Sequence, residues 1–279
     1  CYEYKVVRTA ATTGTGYVAS GIDLPAVDNR GKMVVLVDAN IAAGITAELD
    51  QLETDLRDDG WVMIRHDVPS TMATTAIRAL VQADYTADPD NVKSVYIVGH
   101  VPVPYSGNLN PDGHGDHKGA WPCDGYYGEM DGTWTDNTVN NSSAQLTRNY
   151  NVPGDGKFDQ SDYPSAIELQ VGRIDFSNMG QPYFSFPYTE TELTSLYLNK
   201  AHAYKTRQFV PQTRGIVFDN FQDSSDPLAG SGYRSIPALV GAANTTNCDP
   251  AGTPFHTLID GQSYLWTYAS GGGTWVSAF

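Results

Sequence analysis

Residues 33–38 read MVVLVD, a continuous apolar run that ends in an acid. Such a run predicts a strand buried on both faces, as in a parallel sheet covered by helices. Two later runs, WVMIRH at 61–66 and SVYIVG at 94–99, have the same character. The residues between these runs are apolar at helical spacing, first Ile45, Leu49, Leu52 and Leu56 and then Ile77, Leu80 and Val81. Strands that alternate with helices through short connections predict an α/β fold with a parallel sheet.

A second strand–helix series follows a long loop system. Residues 100–164 are dense in Gly, Asp, Asn, Pro and aromatic residues and show no periodicity. A long ordered loop of this kind is often functional. The patterns that resume after it predict a strand over 166–174, a helix opened by a capping box from Thr189 to Glu192, strands over 215–219 and near 255–259 and 264–268, and a helix near 236–243.

These patterns predict two consecutive three-layer α/β subdomains, each with a parallel sheet. Residues 1–31 form an irregular lead-in with one or two edge strands. The first subdomain spans 32–185 and carries the acidic loop insertion at 100–164, and the second spans 186–279.

Composition excludes several classes of protein. The chain has 279 residues, with 17 Lys+Arg against 32 Asp+Glu and a formal net charge of −15. This charge repels phosphate backbones, so nucleic acid is not an expected partner, whereas hard cations are favoured where carboxylates converge. No apolar run reaches the roughly 18 residues of a membrane span. Charged residues make up only 18% of the chain, a pattern common in secreted proteins.

Cysteine usage leaves alternatives open. Cys1, Cys123 and Cys248 are an odd number, which allows one disulfide and one free thiol but not a disulfide scaffold. Cys1 stands where mature bacterial lipoproteins carry a lipidated cysteine. An arbitrary chain boundary explains its position equally well.

Four segments in order carry a resemblance to a known family. They are VYIVGHVPVPY at 95–105, DGYYGEMDG at 124–132, ELQVGRIDFSN at 168–178 and YLNKAHAYK at 197–205. Together they resemble the gingipain family of cysteine peptidases over roughly residues 33–279. The resemblance implies two α/β subdomains, the second caspase-like, together with secretion or display on a bacterial cell surface, structural calcium, and peptide hydrolysis by a Cys–His dyad.

The dyad is not visible in this sequence. The family places its histidine in a Y-T-G-H-G turn, which corresponds here to residues 268–272, so Gly271 stands at the histidine position. The family's nucleophilic cysteine lies on a later strand, so the caspase-like sheet is expected to be incomplete, with an apolar edge that further chain or a partner would cover. Ser270 and Cys248 are the weak remaining candidates, and Cys248 is expected in a loop.

Acidic loops are the candidate calcium sites. Asp155, Asp159 and Asp162 surround Gly156 at spacings that partly match a calcium loop, and Asp124, Asp131 and Asp136 form a second acidic group. Asx turns are the alternative interpretation, because Asp–Gly steps favour turns.

The region 112–117 is the candidate transition-metal site, through Asp112, His114, Asp116 and His117. A hydrogen-bonded polar loop is the alternative.

Arg173 is expected to pair with a carboxylate as a structural clamp. His100 is interpreted as a histidine that anchors the loop after its strand.

Three functions follow from these observations. The first is a secreted gingipain-like cysteine-peptidase homologue that lacks the dyad in this chain. The second is a non-catalytic surface, adhesive or assembly module braced by calcium, with a protein or peptide, or further copies of itself, as partner. The third is a metal-dependent hydrolase centred on His114 and His117.

Overall fold

The computed structural model of this chain describes residues 2–9, 13–20, 29–111, 113, 115–179, 187–220, 227–248 and 252–270. The chain divides into two compact units, Cys1–His202 and Ala203–Phe279. Within the described ranges, no helix is long and apolar enough to cross a bilayer.

The first unit contains both strands and helices. Its strands are β1 (Tyr2–Arg8), β2 (Gly14–Ser20), β3 (Gly31–Asp38), β4 (Trp61–Val68), β5 (Val92–Val98), β6 (Tyr105–Leu109), β7 (Gly119–Pro122) and β8 (Gln170–Ile174). Its helices are α1 (Ala39–Ala42), α2 (Thr46–Asp58), α3 (Thr74–Ala87) and α4 (Glu190–Lys205).

A four-stranded parallel sheet organises this unit, in the order β4-β3-β5-β8. The central strand β3 is buried on both faces, and its side chains alternate between two cores. Val34 and Leu36 pack with Ile77 of α3. Val35 and Val37 pack on the other side with residues of α1, α2 and α4, among them Ile41, Leu49 and Leu198. The unit therefore has the three layers that the continuous apolar runs predict.

The long loop system keeps its shape through an aromatic cluster. Tyr126 stacks on Phe158 with ring centroids 4.3 Å apart, and Trp134 meets Tyr126 edge-on at 5.0 Å. Both Tyr126 and Phe158 belong to the core beneath α3. The antiparallel pair β6–β7 also lies in this segment, where the sequence showed no strand pattern.

The second unit repeats the α/β arrangement on a smaller scale. It contains β9 (Gly215–Asp219), α5 (Pro227–Val240), β10 (Thr245–Cys248), α6 (Phe255–Gly261) and β11 (Trp266–Ser270). The strands are parallel in the order β10-β9-β11. Val217 of β9 packs against Ile236 and Val240 of α5, and Phe218 stacks on Phe255 of α6 with centroids 5.2 Å apart. The predicted α/β class with parallel sheets is confirmed.

Several predicted elements differ from the structure. The segment 255–259 is helix α6 and not a strand, because Phe255, Leu258 and Ile259 recur at helical spacing after Pro254. The last strand runs over Trp266–Ser270, two residues later than predicted, and β8 covers only the end of 166–174. In the lead-in, β1 and β2 form an antiparallel pair with each other.

Candidate functional site

Three polar side chains lie where neighbouring strands of the first sheet end. Asp38 is the last residue of β3, His100 follows β5 by two residues, and Asp175 directly follows β8. Because β5 pairs with both β3 and β8, these residues meet at the carboxyl edge of the sheet. Ligand sites of open parallel sheets commonly form at this edge. We call Asp38, His100, Asp175, Ser177 and Glu190 the first-sheet edge cluster.

His100 and Asp175 form the centre of the cluster. His100 Nδ1 lies 2.8 Å from Asp175 Oδ2 and 2.8 Å from Ser177 Oγ. The Ser177 amide donates to Asp175 Oδ1 at 2.9 Å and so orients the carboxylate. Burial raises the pKa of Asp175, but hydrogen bonds from Ser177 and His100 outweigh it, and the pKa lies below its usual value. Asp175 is therefore a carboxylate that fixes the imidazole with its proton on Nδ1.

Glu190 closes the cluster from the first residue of α4. Its Oε1 accepts a hydrogen bond from the backbone amide of His100 at 3.2 Å. Burial and the negative charges of Asp175 and Asp38 raise the pKa of Glu190 above its ordinary value. Asp38 is almost fully buried, and its Oδ1 accepts from the Asn40 amide at the start of α1. The cluster thus concentrates negative charge around one imidazole.

The backbone that carries His100 makes a sharp turn. Gly99 has a φ of +83°, and a Cβ at this position would lie 2.7 Å from Ile41 Cδ1 and 2.9 Å from Asp38 Cβ. Only glycine combines this conformation with so close an approach. The Gly99 amide donates to Ile174 O at 2.9 Å, so the turn is tied to the end of β8.

Arg173 holds the same segment from β8. Its Nε and Nη2 donate to the two oxygens of Asp124 at 2.7 and 2.8 Å, and its Nη1 donates to Val101 O at 2.7 Å. Such a two-pronged pair with a carboxylate is the geometry of the clamp expected from the sequence. The Nη1 atom also lies 3.7 Å from Asp175 Oδ2.

Sequence reasoning missed most of this cluster. His100 was interpreted only as a loop anchor, and the other four residues were not singled out. A signal was present, since Asp38, His100 and Asp175 each closely follow an apolar strand run. What the sequence lacked was the strand order, which brings the three strand ends together.

The carboxyl edge of the second sheet holds the residues considered for a cysteine peptidase. Asp219, Cys248 and Ser270 end β9, β10 and β11 respectively. Cys248 therefore lies at the end of a strand, whereas the sequence predicted it in a loop. Its side chain is 1% exposed, and its Sγ lies 3.7 Å from Thr253 O. Gly271 lies outside the described residues.

Three of the calcium candidates, Asp136, Asp155 and Asp159, accept hydrogen bonds from backbone amides. The Asp159 carboxylate accepts from the amides of Asn137, Thr138 and Val139 and from the Thr135 hydroxyl. These bonds outweigh burial and hold the pKa of Asp159 far below its usual range. The carboxylate of Asp136 accepts from the amides of Gly154 and Gly156, and that of Asp155 from Val152 and Lys157.

A calcium site needs several oxygen atoms that converge on one point. These carboxylates instead point at amides, and the Asp124 carboxylate is occupied by Arg173. Asp131 and Asp162 complete the candidate set. In the part of the chain that the structure describes, no three His, Cys, Asp or Glu side chains form a metal-binding group. Calcium binding at these residues stays a prediction.

The transition-metal candidates are only partly described. Asp112 and His114 lie outside the described residues. His117 is largely buried, and its Nε2 lies 4.0 Å from Asp116 Oδ2.

Comparison with solved structures finds two similar chains. One is the crystal structure of the Arg-specific cysteine proteinase gingipain R (RgpB), with 15% identity, a TM-score of 0.49, and coverage of 88% of this chain and 48% of that chain. The other is a complex of Porphyromonas gingivalis RgpB pro- and mature domains, with 16% identity, a TM-score of 0.49, and coverage of 87% of this chain and 48% of that chain.

This chain spans about half the length of the solved structures that it matches. No protein-family model matches it, and no curated protein matches it.

Proposed function

We propose that this chain is a gingipain-like cysteine-peptidase homologue that works outside the cell and has no Cys–His dyad within these residues. The order of the four motifs between 95 and 205 supports the homology. The low content of charged residues, 18%, supports an extracellular location.

The position of Cys248 is the observation that carries the proposal. Cys248 ends β10, whereas the family's histidine position, Gly271, follows β11. Because β9 lies between these two strands, their ends are about 10 Å apart, two strand spacings of roughly 4.8 Å. A thiol and its base must lie at hydrogen-bond distance, so Cys248 does not form a dyad with a residue at the end of β11.

The chemistry of the thiols agrees with this arrangement. Cys248 is buried, which keeps a peptide substrate from its sulfur. Burial raises the pKa of the Cys123 thiol, whose Sγ lies 3.7 Å from the Tyr163 hydroxyl. A raised pKa lowers the fraction of thiolate, which is the reactive form.

Labelling with a peptidyl chloromethyl ketone tests the proposal. We expect no modification of Cys248 in the folded protein by peptide mass mapping, whereas iodoacetamide in concentrated urea alkylates it. The variant Cys123→Ser removes the half-buried thiol and is expected to leave the result at Cys248 unchanged. Stoichiometric labelling of Cys248 in the folded protein, together with loss of peptide hydrolysis, would overturn the proposal.

A further inference from the structure

The described histidines differ in the side chains that contact their ring nitrogens. His66 Nε2 lies 2.7 Å from Asp84 Oδ2, and His202 Nδ1 lies 2.9 Å from Asp55 Oδ1. His202 is on α4 and Asp55 on α2, so this pair joins two helices that cover the sheet. His100 differs from both, because it stands at the carboxyl edge of the sheet, two residues after β5.

The two ring nitrogens of His100 have different surroundings. Both of its side-chain partners, Asp175 and Ser177, contact Nδ1. Within the described residues, Nε2 makes no hydrogen bond. Because the carboxylate can only accept, Nδ1 carries the proton and Nε2 presents its lone pair.

The imidazole of His100 is more exposed to solvent than the carboxylate of Asp175 that orients it. The His100 side chain is 45% exposed, whereas that of Asp175 is 18% exposed. A reactant can therefore reach the imidazole, and the carboxylate behind it stays shielded. The Gly99 turn, the bond from the His100 amide to Glu190 and the Arg173 clamp hold the backbone on both sides.

We propose that His100, oriented by Asp175, is a general base for the hydrolysis of acyl esters or amides at the first-sheet edge. A water molecule gives its proton to Nε2 while its oxygen bonds to the carbonyl carbon. The imidazolium then returns the proton to the leaving group as the acyl bond breaks. Asp175 stays ionised throughout and stabilises the imidazolium.

The same geometry excludes Ser177 as the nucleophile. A serine activated by this histidine would contact Nε2, the nitrogen opposite the carboxylate. Ser177 Oγ instead lies on the Nδ1 side, next to Asp175. Its role is to position Asp175 through its amide. The charges of Asp38, Asp175 and Glu190 favour a neutral or cationic substrate over an anionic one.

Hydrolysis of the neutral ester p-nitrophenyl acetate by the full chain tests this base. We expect His100→Gln to lower the second-order rate constant about 100-fold, the lower end of what a positioned general base contributes. The matched control is His256→Gln, since His256 is an exposed imidazole on α6. This control is expected to keep the rate within about twofold.

Asp175→Asn keeps the imidazole and separates a positioning role from a structural one. We expect Asp175→Asn to lower the rate and Asp175→Glu to restore part of it, because a carboxylate stabilises the imidazolium and an amide does not. Circular dichroism checks that each variant folds. An unchanged rate in folded His100→Gln, an equal loss in His256→Gln, or an unchanged rate in folded Asp175→Asn would overturn the proposal. Because Cys248 takes no part, this test is independent of the labelling experiment.

Discussion

Glu129 is a fully buried carboxylate in the long loop system, and it organises the residues around it. It accepts hydrogen bonds from the amides of Asp131 and Gly132, from Trp134 Nε1 at 2.5 Å and from the Ser165 hydroxyl. Arg78 Nη2 of α3 lies 3.0 Å from its Oε2. A buried charge is stable only when it is bonded in this way. Glu129 therefore ties the loop to helix α3.

Replacing Glu129 tests this role. We expect Glu129→Gln to lower the free energy of unfolding by about 3–5 kcal/mol, because Arg78 would then be buried without its ion partner. Urea denaturation measures the change. The matched control is Asp67→Asn, which removes an exposed carboxylate from Arg65 and is expected to cost less than about 1 kcal/mol. Equal losses in the two variants would contradict the buried role.

The same carboxylate makes stability depend on pH. Burial raises the pKa of Glu129, but the hydrogen bonds from Ser165, Trp134 and Gly132 outweigh it and hold the pKa below its ordinary value. Because the pKa of Glu129 is lower in the folded state than in the unfolded state, its ionised carboxylate stabilises the fold fully at pH values above the unfolded pKa of 4.5. This stabilisation is lost as the pH falls through the lower pKa of the folded state. Glu129→Gln is therefore expected to flatten the loss of stability between about pH 5 and pH 3.

Helix α4 begins with the capping box expected from the sequence, which is confirmed. The Glu192 amide donates to Thr189 Oγ1 at 3.2 Å, and the Thr189 amide donates to Glu192 Oε2 at 2.7 Å. This box fixes the first turn, which carries Glu190 to the His100 amide. The start of α4 thus contributes to the first-sheet edge cluster.

Removing the Thr189 cap tests how much the capping box stabilises the first turn of helix α4. We expect Thr189→Ala to destabilise the first turn by about 1 kcal/mol and to speed hydrogen exchange at Glu192 and Leu193. The control is Thr54→Ala inside α2, where the exposed hydroxyl donates to Asp50 O at 3.1 Å and accepts from Arg57 Nη2 at 3.4 Å, both within the same helix. Alanine has the better helix propensity there, so no loss is expected. Unchanged exchange in Thr189→Ala would show that the cap adds nothing to the helix.

Elements with a strong local pattern could be predicted, and the others could not. The apolar run at 33–38, rich in β-branched Val, favours a strand in a covered sheet, so β3 was predictable. By contrast, Phe255 and Ile259 are large apolar residues in a short segment, where strand and helix periods are hard to separate. The edge cluster depends on pairing between β5 and β8, which are separated by the 71 residues between Val98 and Gln170. No local pattern contains such a relation.

The two units differ in the size of their hydrophobic cores. In the first, both faces of β3 are covered by large clusters of fully buried side chains. In the second, the described cluster consists of Val217, Ile236 and Val240, with Leu265 and Tyr268 packed against it. Each fully buried aliphatic side chain contributes about 1.5–3 kcal/mol. From the described residues we therefore expect the second unit to open at a lower free energy than the first.

Native-state hydrogen exchange measures this difference in the whole chain. Amides of Val35 and Leu36 in β3 are expected to exchange only through complete unfolding of the first unit, and those of Ile216 and Val217 in β9 through an opening several kcal/mol lower. Ile236→Ala is expected to reduce protection in β9 by about 2–5 kcal/mol and to leave β3 unchanged. The matched variant Val81→Ala, in the first core, should do the reverse. If both variants lowered protection equally in β3 and β9, the chain would unfold as one cooperative unit, and the separate cores would not act as separate units of stability.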